Sequence, residues 1–164
     1  NEHQKTLRMR ARPKILLAKT YEEAMDLYKR YNQNLLGIIS DISYARQGVR
    51  DDEAGVRLAR YIRKTDKHTP ILLQSSDKWN PNLMRELKVS FIDKYSKTLL
   101  VELKHYIKDN YGFGDFVFKD PRNGREVDRA NNLHSLQVKI AKVSATSLDY
   151  HVSNNHFSRW LKAR

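Results

Sequence analysis

From Pro13 to Asn110 short, uninterrupted apolar runs alternate with amphipathic stretches, and this alternation constrains the fold more than any other feature of the chain. A strand covered on both faces must be apolar at every position, and such strands spaced by helices build βαβ units around a parallel sheet. The runs are residues 14–18, 35–40, 71–75 and 89–93, each rich in Ile, Leu or Val. They predict an α/β domain over residues 1–110.

The stretches between the runs carry their own helix signals. Thr20 and Glu23 have the spacing of a capping box, which starts a helix reaching about Tyr31 with Ala24, Leu27, Tyr28 and Tyr31 on one face. The acidic Asp51-Asp52-Glu53 suits the positive end of a helix dipole, and Val56, Ala59 and Ile62 continue at helical spacing to about Thr65. Pro81 limits the next helix to a short piece over residues 82–88, and Ser96 starts a longer one through Leu99, Leu100, Leu103 and Ile107. Residues 1–12 read as the end of a further helix, and residues 42–52 as a long, Arg-rich loop.

The pattern changes at Tyr111-Gly112-Phe113-Gly114. Residues 115–119 and 126–129 flank the turn-rich Asp120-Pro121-Arg122-Asn123-Gly124 and predict a β-hairpin. Leu133, Leu136, Ile140 and Val143 give one amphipathic helix, and residues 147–164, with Leu148, Val152, Phe157, Trp160 and Leu161, give another. The expected organisation is therefore an α/β domain over 1–110 and a small α+β extension over 111–164.

Composition excludes several classes. With no cysteine there is neither a disulfide framework nor a thiolate metal site, and no apolar run approaches the roughly 20 residues that span a bilayer. No signal-peptide core follows the basic start, so a cytoplasmic protein without a membrane partner is expected. The net charge of +12 suits nucleic acid, an anionic membrane surface or an acidic partner domain, but most of it is spread along every helix as on a solvated surface. His151 and His156, five residues apart, are expected on different sides of one helix in packing or surface roles. Gly112 and Gly114 precede a strand, so no phosphate-cradling loop is expected. No acid–base pair or nucleophile–histidine arrangement is legible, which leaves little for a stand-alone enzyme.

Ligands of open α/β sheets bind outside the carboxyl ends of the strands, and three polar features fall there. Asp41 follows the run ending Ile38-Ile39-Ser40, Ser75 and Ser76 follow Ile71–Gln74, and Lys94 follows Phe91-Ile92-Asp93. A carboxylate at a strand tip can attack phosphorus, a hydroxyl can bond a phosphoryl oxygen, and an ammonium can pair with either. In this order and spacing, the three resemble the receiver domain of two-component response regulators. The resemblance covers roughly residues 10–110 and implies a flavodoxin-like sheet.

On that resemblance Asp41 is the phosphoacceptor, Ser75 and Lys94 sense the phosphoryl group, and Phe91 is the aromatic switch. A histidine kinase or a small phosphodonor would be the phosphate source. The family holds Mg²⁺ with an acidic pair after its first strand; here the first run ends Ala18-Lys19-Thr20 and matches the second receiver strand instead. The first strand and the Mg²⁺ pair are thus expected upstream of Asn1, and the sheet is expected to lack that strand or borrow it. Ala45 and Tyr95 stand where the family usually has prolines, so a degenerate receiver, not phosphorylated at Asp41, stays open.

Residues 112–120, 147–151 and 155–164 resemble the connector that follows a receiver-like module in bacterial multidomain proteins related to phosphoenolpyruvate synthase and pyruvate phosphate dikinase. This implies a regulatory chain, not itself an enzyme, joined to an ATP-binding catalytic domain of its parent. The alternative is a transcriptional response regulator docking residues 147–164 on DNA through Ser153, Asn154, Asn155, Arg159 and Lys162, although no break for a helix-turn-helix is legible there. A homodimer is left open.

Overall fold

In the computed structural model, which describes residues 13–77 and 80–164, regular structure begins at Thr20. Its hydroxyl accepts the Glu23 N–H at 3.2 Å, while the Glu23 carboxylate reaches back to the Lys19 N–H at 2.7 Å. The box closes one residue earlier than its usual form and starts α1 (Tyr21–Tyr31). There follow β1 (Ile38–Asp41), β2 (Tyr44–Arg46), β3 (Val49–Asp51), α2 (Ala54–Thr65), β4 (Ile71–Ser75), α3 (Pro81–Leu87), β5 (Ser90–Asp93) and α4 (Leu99–Asn110). The chain divides into two compact units, one ending at His105 and the other spanning Tyr106–Arg164.

The first unit is mixed α/β, built on a three-stranded parallel sheet in the order β1-β4-β5. Central β4 is apolar at Ile71, Leu72 and Leu73 because both its faces are covered, and all three are buried. On one face Ile71 and Leu73 meet Val56, Ala59 and Ile62, which α2 presents at three-residue spacing, with Tyr28 of α1 and Leu87 of α3. The Arg63 guanidinium clamps this layer, donating to the carbonyls of Leu87 (2.8 Å), Thr69 (2.9 Å) and Lys88 (3.0 Å).

Two expectations are corrected here. Residues 14–18 form no strand: Ile15 and Leu17 are exposed, and only Thr20 touches a ladder, in an isolated parallel bridge to Ala45. An apolar run becomes a strand only beside a partner, and among the described residues β1 has none on its outer edge. Residues 42–52 are not a loop but the antiparallel hairpin β2–β3. Gln47 (φ 52°) and Gly48 (φ 78°) both take positive φ, as the tight two-residue turn between twisted strands requires. The helix end expected over residues 1–12 lies outside the described residues.

The second unit contains the antiparallel hairpin β6 (Phe116–Lys119) and β7 (Glu126–Ala130), then α5 (Leu133–Ile140), α6 (Ala145–Ser153) and α7 (His156–Lys162). Phe116, Phe118, Ala130, Leu136 and Trp160 form its core. The single helix expected over 147–164 is two helices, because Asn155 takes a left-handed conformation (φ 57°) and turns the chain. Asn tolerates this region better than other residues with a side chain, so the Asn154-Asn155 pair carried the signal. At the irregular Phe118–Lys119 step, α6 supplies what the ladder lacks. Ser147 donates to the Lys119 carbonyl at 2.9 Å, and His151, one turn on, accepts the Lys119 N–H at 2.9 Å. Among the described residues no helix is long and apolar enough to cross a membrane.

Gly55 shows how tightly α2 abuts the tip of β1. Its N–H donates to Ile42 O at 2.9 Å, and an added Cβ would lie 2.1 Å from the Asp41 carbonyl oxygen. Gly55→Ala must displace strand or helix and should destabilise the first unit by about 1–3 kcal/mol, read as a lower urea midpoint.

Candidate functional site

The strand register builds the site. β1 and β4 align Asp41 with Gln74, and β4 and β5 align Ser75 with Asp93, so Lys94 emerges one residue beyond the end of β5. Backbone bonds hold the tips together: Ile42 N–H donates to Gln74 O (3.0 Å) and Lys94 N–H to Ser75 O (2.9 Å). Ser40 Oγ donates to the Asp41 carbonyl at 2.8 Å, fixing the peptide that carries the acid.

On this frame both carboxylate oxygens of Asp41 are engaged. Oδ2 lies 2.6 Å from Lys94 Nζ, and Oδ1 accepts from Gln74 Nε2 at 2.7 Å. The Asp41 and Lys94 side chains keep 37% and 38% of their surface exposed, which places the pair within reach of solvent and of a ligand. Ion pairs this exposed contribute only about 0–1 kcal/mol, so the lysine can exchange partners at little cost. The nearby Tyr44 phenol, 3.5 Å from Ser40 Oγ, is pushed up chiefly by burial and stays protonated at neutral pH.

Of the residues singled out in the sequence, the structure joins Asp41 and Lys94 across 53 positions. Ser75 is at the tip of β4, but its Oγ accepts the Asp77 N–H at 3.2 Å and makes no bond to Asp41. Successive strand residues point to opposite faces, and in this register Gln74 takes the place beside the carboxylate. Gln74 was missed; its signal was a polar side chain closing an otherwise apolar run. Phe91 is half-buried, aligned with Leu73 and packed against the core. No group of three or more His, Asp or Glu is placed to hold a metal ion among the described residues.

A second polar cluster lies in the second unit. The break at Asn155 brings His151 and His156 together, Nδ1 to Nδ1 at 2.8 Å, correcting the expectation of opposite helix sides. His151 Nε2 accepts a backbone N–H, so its own proton sits on Nδ1 and is donated to His156, whose proton must then sit on Nε2. Burial is the main cause that lowers both imidazoles to about 4, with Lys119 opposing charge on His151 and Arg159 on His156.

No protein-family model, curated protein or solved structure matches the chain.

The two histidines make stability depend on pH. With folded values near 4 against 6.5 unfolded, the unfolded chain binds more protons in that window. Their contribution is complete above pH 6.5 and declines as pH falls toward 4. Urea midpoints of the second unit should drop between pH 7 and pH 5, and drop less in His156→Gln.

Proposed function

We propose that the first unit is a receiver-like regulatory module of flavodoxin-like class in which Asp41 accepts a phosphoryl group. The observation that carries this reading is the carboxylate of Asp41 held between Gln74 and Lys94 at the tips of parallel strands. In the transfer, an Asp41 oxygen attacks phosphorus and the bond to the donor breaks, releasing the imidazole nitrogen of a phosphohistidine or the carboxylate oxygen of an acyl phosphate, so that Asp41 becomes an acyl phosphate. Lys94 then pairs with a phosphoryl oxygen instead of the carboxylate, and the Gln74 amide donates to the same group. Ser75 keeps its O–H as a donor, since its Oγ only accepts from Asp77. Phe91, packed on the core, would report the change to α3 and α4.

On the same reading the sheet takes a further strand along the outer edge of β1, and Mg²⁺ is held by an acidic pair on that strand. The second unit is the connector to an ATP-binding, phosphoenolpyruvate synthase-like catalytic domain, and the setting is cytoplasmic. A histidine kinase or a small phosphodonor supplies phosphate. Intact mass after incubation with Mg²⁺ and acetyl phosphate should show a single phosphoryl adduct that is lost in Asp41→Asn. No adduct, in a chain folded by circular dichroism, would sink phosphorylation and leave a degenerate receiver that acts as a docking scaffold.

One observation favours the DNA-binding alternative: α6 and α7 are two short helices joined by a tight turn. Ser153, Asn154 and Lys162 are exposed, but Asn155 and Arg159 are half-buried and the Arg159 guanidinium turns back to the Asn154 carbonyl. The regulatory reading therefore predicts no more than weak, non-specific duplex binding. Anisotropy titrations across salt would show it; a tight, sequence-selective complex that Lys162→Ala weakens would support the alternative.

A further inference from the structure

The second unit contains a cavity of about 530 Å³, in the size range of small-molecule sites, whose walls include Lys119, Tyr150, His156 and Arg159. Three of these are donors with no hydrogen bond or ion pair to a carboxylate among the described residues. Lys119 Nζ makes no ion pair among the described residues, and neither does Arg159. The guanidinium of Arg159 is half-buried, bonds only the Asn154 carbonyl, and has a buried Nε–H with no acceptor. An unpaired cation in such a place costs free energy that an anion would recover. His156 is the third donor: the chain from Lys119 N–H through His151 leaves its proton on Nε2, which has no acceptor among the described residues.

The carboxylates on the same wall offset these donors only in part, since Glu126, across the ladder from Lys119 and coupled to it by charge, has its hydrogen bonds elsewhere. Glu126 is held by Arg129 in a two-point pair (2.9 and 2.8 Å), and Asp115 lies 3.4 Å from the same guanidinium. Asp109 is the one left, next to Lys108 in the sequence and lining the same cavity. We infer that this cavity binds a small oxyanion, a phosphate or a carboxylate, held by Arg159, Lys119 and the Nε2–H of His156. Geometry sets the last donor without a charge on the ring, and burial, which lowers His156 to about 4, keeps it neutral at pH 7. Recognition would thus resemble an oxyanion hole with two cations beside it. The site shares no residue with Asp41 and its neighbours and does not depend on the function proposed for them.

The test is an NMR titration of the full chain at pH 7, following the imidazole ¹⁵N signals of His156 and the Nε–H of Arg159. Inorganic phosphate and acetate are added in separate arms, with ionic strength held constant by sodium chloride. The expected result is a saturable shift in at least one arm, and the stronger arm assigns phosphate or carboxylate. Arg159→Gln and Lys119→Gln should each weaken binding by about tenfold, the loss of one charge-assisted hydrogen bond. Lys119 is exposed, so its variant keeps the test sound if Arg159→Gln fails to fold. Shifts that never saturate, that match those of sodium chloride alone, or that persist unchanged in Lys119→Gln would overturn the site.

Discussion

The backbone ladder that β4 shares with both neighbours is the constraint on which the candidate site depends. Its register alone brings residue 41 beside residue 74, and residue 94 within reach of both. Parallel pairing has no slack here: a slip of one position would turn Gln74 away from Asp41 and put Ile71 and Leu73 on the wrong face. The same apolar residues that hold α2 to the sheet therefore also aim the polar side chains at its end. Gly55 adds to this by letting the first turn of α2 lie against the Asp41 peptide.

Among the described residues that ladder ends at β1. Ile38 packs into the core, but Ile39 on the other face is 41% exposed, and Ile15 and Leu17 stand open to water. An unpaired parallel edge with apolar neighbours is unusual, since parallel sheets are ordinarily covered and their edges guarded by charge, Pro or a bulge. The proposed additional strand would pair with the edge of β1 and give residues 14–18 a neighbour to pair with. It would also bring the acidic pair that the described residues lack.

The second unit solves a different problem, an irregular hairpin with one backbone step left over. Ser147 and His151, four apart on α6, take the carbonyl and the N–H of Lys119, so a helix face completes what a strand would otherwise supply. Because His151 must accept, its proton is forced to the other ring nitrogen, and the consequence passes to His156. One backbone bond thus determines which atom of a neighbouring imidazole can donate. Burial of both rings beside Lys119 and Arg159 keeps them uncharged at neutral pH.

Much of this was legible in the residues. The apolar run Ile71–Leu73, the capping box at Thr20, the hairpin turn at Asp120–Gly124 and the placing of Asp41 and Lys94 at strand ends all follow from local pattern and from position along the chain. What stayed hidden depended on partners distant in sequence. Whether residues 14–18 pair, which of Gln74 and Ser75 faces the carboxylate, and whether His151 meets His156 are settled by register, edge and turn. A propensity is a property of a few adjacent residues, whereas a ladder partner or a left-handed Asn155 acts through what it brings together. The sequence by itself determined the parallel strands β1, β4 and β5, the caps and the charged groups; only the tertiary structure decided that residues 14–18 stay unpaired, that residues 42–52 form a hairpin and which side chains touch, because contact is set by packing across the sheet and around each turn.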